Sequence, residues 1–116
     1  MNKAEEELNL KLAKWVGLRE PHIQGELIIF SDTINNKEWN NLYVDIFTES
    51  LDSCFYYLIK KLEEKDTDLR IEFQGNTVTL FGKMADTHKL SYTTIGSGST
   101  KAMALCNAVE SIIDER

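Results

Sequence analysis

The chain has 116 residues, with 13 Lys and Arg against 19 Asp and Glu for a net charge of −6, and its 42% hydrophobic content is enough for one core. That describes a single folded domain over 1–116 rather than a disordered chain. The charge argues against a general binder of nucleic acid or anionic lipid, which needs a basic surface, and no apolar run approaches the ~20 residues of a membrane span.

The opening stretch MNKAEEELNL is too acidic and polar for a signal peptide, so a cytoplasmic protein is expected. A first helix is predicted from about Lys3 to Val16. Ala4, Leu8, Leu12, Trp15 and Val16 recur at spacings of three and four, and Glu5, Glu6 and Glu7 suit the positive end of the helix dipole. Gly17 follows as a left-handed cap, and Pro21 closes off any continuation. Glu26 to Phe30 is short, apolar and rich in β-formers, and reads as a strand. Asn35 to Glu38 is turn chemistry. Trp39 and then Leu42 to Phe47 read as an extended return, either a hairpin or an irregular excursion.

Ser50 is a good N-cap for a second helix. Its stripe is Leu51, Cys54, Phe55, Leu58, Ile59 and Leu62, with Tyr56 and Tyr57 flanking it. Leu69, Ile71 and Phe73 alternate with polar residues as a half-buried strand does. Gly75-Asn76 predicts a type II′ hairpin, Thr77 to Lys83 returns, Met84 to Thr87 turns, and Lys89 to Ile95 makes a third strand. After Gly96-Ser97-Gly98-Ser99-Thr100, a last helix runs from about Thr100 to Asp114. Its stripe is Ala102, Leu105, Cys106, Val109, Ile112 and Ile113.

These elements predict an α+β fold. Its expected form is an αβα sandwich, with a small antiparallel sheet, a meander, carrying helices on both faces. Phe81, Ile95 and the Val44/Ile46 side supply apolar residues for a second face. The open face could otherwise serve oligomerisation.

Cys54 and Cys106 fall on the apolar faces of predicted helices and read as small buried hydrophobes with reduced thiols. A disulfide needs the two helices side by side with Cα atoms ~5.5 Å apart. Neither these cysteines nor His22 and His88 stand in a metal-binding pattern, and no cofactor is expected. Gly96, Ser97, Gly98, Ser99, Thr100 and Lys101 join a strand to a helix N-terminus, where N–H groups favour anions. Yet GxxxxGK[ST] and GxGxxG are absent, and the plainer reading is a flexible connection with Ser99 as N-cap. Asp86 and His88 could pair as an oriented base, but no nucleophile stands in a recognisable setting, so a surface turn is the simpler account. Asp45, Glu49 and Asp52 cluster around the second helix start, explained by solvation and the helix dipole before any cation. Glu63, Glu64, Asp66 and Asp68 form an acidic cluster that is either a solvated helix face or a surface complementary to a basic partner. Trp39 and Tyr43 could mark a protein interface.

Three segments together resemble a known family: Leu12-Ala13-Lys14-Trp15-Val16-Gly17-Leu18, Phe47-Thr48-Glu49-Ser50-Leu51 and Ala102-Met103-Ala104-Leu105-Cys106-Asn107-Ala108. The chain looks like the phage ABA-sandwich domain family, small proteins of phages and prophages, over nearly its whole length. That family's second helix usually opens with an aromatic, Ser or Thr, any residue, then Asp. Ser50 takes the Asp place here, and both residues cap. The resemblance implies an αβα sandwich and an accessory role in phage biology, and it supplies no catalytic residues.

The expected function is therefore a non-enzymatic binding protein encoded by a phage or prophage. Its most concrete form is a counter-defence inhibitor of a host nucleic-acid-binding effector such as a CRISPR effector. The expected partner is a protein, with self-association as a further option, and neither nucleic acid nor membrane is bound directly. The alternatives are a sponge for a small anionic or nucleotide signal at the Gly/Ser loop, and a structural or assembly protein.

Overall fold

The structure, a computed structural model, describes residues 2–31, 39–65, 69–83 and 91–115. Helix α1 (Lys3–Trp15) starts at Asn2, whose side chain accepts the Glu5 N–H at 2.8 Å. It ends as its sequence predicts. Gly17 has φ +100°, its N–H is donated to the Lys14 carbonyl, and the Leu18 N–H is donated to that of Ala13. This pair of bonds is a Schellman cap, which needs the left-handed residue that glycine supplies.

The next three strands form one antiparallel sheet in the order β1 (Arg19–Gln24), β2 (Leu27–Ser31), β3 (Trp39–Tyr43). Strand β1 is missing from the sequence reading because it contains Pro21. Proline is tolerated here because β1 is an edge strand and the register slips between Arg19 and His22, where Glu20 has φ +51°. The apolar run read as a strand is β2, which lies between β1 and β3 and forms a hairpin with β3. The fully buried Ile28 points from β2 into the core.

The second helix, α2 (residues 51–65), is α-helical over Leu51–Ser53, π-helical over Cys54–Ile59 and α-helical again over Lys60–Lys65. Ser50 caps it by accepting the Ser53 N–H at 3.1 Å, as expected. The π segment changes which residues are buried. Cys54, Leu58, Ile59 and Leu62 face the core, whereas Phe55, expected in the stripe, is 41% exposed. Hydrogen bonds of the i→i+5 type add a residue to each turn, which stacks Cys54 near Ile59 and turns Phe55 off the buried side.

The second sheet is the predicted meander, β4 (Arg70–Gln74), β5 (Thr77–Lys83) and β6 (Ser91–Ser97). At the β4–β5 turn Gly75 has φ +60° while Asn76 stays negative, which is type II′ rather than I′. Helix α3 (Lys101–Glu115) lies across one face, over Val78, Leu80, Thr94 and Gly96. On the opposite face Ile95 is 65% exposed. The chain is thus an α+β fold, with two three-stranded antiparallel sheets among the described residues.

One core joins these parts. Leu8, Leu12 and Ala13 of α1, Phe47 of the connecting segment, Leu58 and Leu62 of α2, and Leu105 and Val109 of α3 all belong to it. Cys54 and Cys106 meet inside it as free thiols, Sγ to Sγ 3.7 Å, so the two helices do pack side by side.

Candidate functional site

The strand register gives the first sheet two unlike faces. Ile23, Ile28 and Leu42 form one cross-strand row on the buried side. The rows of the other face read Arg19–Ser31–Trp39, His22–Ile29–Asn41 and Gln24–Leu27–Tyr43. Trp39 is 55% and Tyr43 68% exposed on this outward side, and Leu27 and Ile29 are only half-buried between them and β1. The His22 ring stands edge-on to Trp39 at 5.7 Å between centroids. Arg19 at one corner is the only Lys, Arg, Asp or Glu in these rows. Glu26 and Asp45 flank the opposite corner, where the Val44 N–H is donated to the Glu26 carbonyl at 2.8 Å.

This face joins two aromatic rings, two aliphatic side chains and side-chain amides on a sheet in which β3 is, among the described residues, an edge strand. Such a surface can bury apolar area against another protein, with the amides and the strand edge supplying hydrogen bonds. Trp39 and Tyr43 were singled out in the sequence. Leu27, Ile29 and His22 beside them were not, because their placement depends on β1 and on register.

The Gly/Ser loop is engaged in holding the fold. Gly96 approaches α3 so closely that a Cβ would lie 2.3 Å from the Ala104 carbonyl oxygen and 2.5 Å from the Ala108 nitrogen. The Gly98 N–H is donated to the Asn76 carbonyl, and the Asn76 side-chain amide to the Ser99 carbonyl at 2.9 Å. Asn107 donates to the Ser97 carbonyl at 2.8 Å, and the Lys101 ammonium reaches the Gly75 carbonyl at 2.9 Å. Thr100 rather than Ser99 caps α3, accepting the Met103 N–H at 3.1 Å. These contacts tie the β4–β5 turn to the helix start.

Glu63 and Glu64 are exposed on α2, and Glu64 shares a groove of about 450 Å³ with Tyr56, Tyr57 and the Val16–Gly17–Leu18 segment that leads into β1. Asp66, Asp68, Asp86 and His88 lie outside the described residues. Asp52 stands in the first turn of α2, and the Glu49 N–H is donated to the Asp45 carbonyl at 3.0 Å. Among the described residues no group of three or more His, Cys, Asp or Glu could hold a metal ion, and no helix is long and apolar enough to cross a membrane.

A second concavity, about 520 Å³, lies between α1 and α3, with Asn2, Glu5, Lys11, Asn107 and Glu110 in its wall. Lys11 closes one end of it by pairing with Asp114 and with Glu110, the latter at 3.2 Å. Its hydrogen bond to Asp114 raises the ammonium pKa above the usual lysine value.

Compared with protein-family models, with curated proteins and with solved structures, the chain matches none.

Proposed function

We propose that this is a non-enzymatic binding protein that docks another protein on the outward face of its first sheet. The observation that carries the reading is the exposure of Trp39 and Tyr43 on a face with Leu27 and Ile29 and a single charged residue. Aromatic anchors around a charge-poor centre are the composition of an interface core. The fitting partner has an apolar patch and a basic rim, since Glu26 and Asp45 flank the Tyr43 corner and the whole chain carries −6. That charge would speed encounter with a basic surface.

In its most specific form the partner is a host nucleic-acid-binding effector, such as a CRISPR effector, and the role is counter-defence by a phage or prophage. The net charge and the resemblance to small phage proteins support that form. Its test is whether expressing the protein restores plaque formation in cells that carry the defence.

The docking face itself is tested with a photo-reactive aromatic residue placed at position 41, cross-linked in bacterial cells. The purified cross-linked protein is then titrated with the wild-type chain and with Trp39→Ala/Tyr43→Ala. The reading requires a basic protein whose Kd rises at least ~100-fold with the double variant, the size of two hot-spot losses. An adduct with a second copy of this chain, an acidic partner, an unchanged Kd or no adduct would each overturn it.

A further inference from the structure

The core contains the chain's two cysteines, 52 positions apart in sequence, with their sulfurs in contact at 3.7 Å and both side chains fully buried. Cys54 opens the π segment of α2 and Cys106 lies in the middle of α3. The Cys54 thiol also donates to the Phe47 carbonyl at 3.0 Å. A buried thiol serving only as a small hydrophobe has no need of a second sulfur beside it. Here the two helices present both sulfurs to one point. Closing to a bonded ~2.0 Å requires an approach of about 1.7 Å, within the reach of side-chain rotation.

We propose that Cys54 and Cys106 are a redox pair that closes to an intramolecular disulfide when the protein meets a small peroxide. In the first step one sulfur attacks a peroxide oxygen. The O–O bond breaks, a sulfenic acid forms, and the thiol proton leaves with the departing oxygen as water. In the second step the neighbouring sulfur attacks the sulfenic sulfur. The S–S bond forms, the S–O bond breaks, and the second thiol proton leaves with the hydroxyl as a second water. Two thiols are oxidised by two electrons, one peroxide is reduced, and the balance is two thiols and one hydrogen peroxide to one disulfide and two waters.

Burial sets the kinetics. The oxidant reaches sulfur only when the core opens locally, so the first step is slow. The second is fast, because the resolving sulfur is already in contact. A lone buried cysteine would instead stop at the sulfenic acid or pass to higher oxides. The closed bond would latch α2 to α3 across a loop of more than fifty residues.

The test treats the folded full chain with hydrogen peroxide and reads intact mass, free-thiol count and thermal midpoint. The expected product has a mass lower by ~2 Da, no free thiols and a midpoint raised by at least ~5 °C, all reversed by dithiothreitol. Cys106→Ala should instead give a sulfenic adduct trapped by dimedone, and Cys54→Ala should do the same. Wild-type products that carry added oxygen, intermolecular dimers, a lowered midpoint, or two thiols surviving where the urea-unfolded chain oxidises would each overturn the proposal.

Discussion

The side-chain oxygen of Asn9 accepts the backbone N–H of Phe47 at 2.9 Å, inside the core. The same oxygen accepts the Thr48 N–H at 3.2 Å, and the amide nitrogen donates to the Thr48 hydroxyl at 3.0 Å and to the Glu5 carbonyl at 2.8 Å. All four bonding positions of the amide are used. One polar residue of α1 thereby holds the segment that leads from the first sheet into α2 and places the Phe47 ring in the core.

Asn9→Ala should therefore be among the most damaging single changes. It leaves two backbone N–H groups and a hydroxyl buried without partners, a cost of roughly 3–4 kcal/mol. Thr48→Val removes one bond and keeps the volume, and should cost about 1 kcal/mol. Urea denaturation of the two variants against wild type checks the ratio. Similar values for both would show that Asn9 acts through packing alone.

Gly96 and Gly98 both pack against α3, Gly96 the more tightly. A Cβ at Gly96 meets backbone atoms of α3, which can move only if the helix lifts from the sheet, so Gly96→Ala should cost about 2–3 kcal/mol. At Gly98 the added carbon meets the Met103 side chain, Cγ at 2.6 Å and Cβ at 2.9 Å, and the Ala104 nitrogen at 3.0 Å; only the Cγ can rotate away, so Gly98→Ala should cost about 1–2 kcal/mol, less than Gly96→Ala. Denaturation midpoints measured with and without phosphate test this together with the anion reading of the loop. Phosphate binding there would appear as a stabilisation that Gly98→Ala reduces.

Much of the fold was legible wherever local chemistry and tertiary demand agree. The Gly17 cap, the Ser50 cap, the Gly75-Asn76 turn and the α3 stripe are all set by nearby residues. Strand β1 was hidden because Pro21 signals a break, and only its edge position makes it admissible. Phe55 was misplaced because a 3.6-residue period cannot represent the π segment. Nothing in the sequence around Asn9 signals its role, which depends on a partner 38 positions away. The outward face of the first sheet was half visible. Trp39 and Tyr43 stand out by type, but Leu27 and Ile29 join them only through strand register.

Trp39→Ala and Tyr43→Ala should leave stability within about 0.5–1 kcal/mol of wild type, because both rings are more than half exposed. Each change should raise the partner Kd by ~10-fold or more, which separates a recognition role from a structural one. Calorimetric unfolding of each variant, alongside the cross-linking titration, makes the distinction. A loss of several kcal/mol at either position would assign it to the core instead.

Alkaline stability follows from the buried thiol pair. The hydrogen bond with Cys54, then burial, raise the Cys106 pKa far above the ordinary thiol value of 9.0, so the folded chain keeps a proton that the unfolded chain releases above that pH. The native state then binds more protons than the unfolded state, and stability must fall as pH rises. The contribution is fully present below pH 9 and declines above it by up to about 1.4 kcal/mol per pH unit. Cys106→Ala loses some packing at every pH but should remove this slope. Urea titrations from pH 7 to 10, taken as wild type minus variant, isolate the effect from tyrosine and lysine titration common to both. Parallel pH profiles would mean that the thiol ionises in the folded core without cost, contrary to its burial against the Cys54 sulfur.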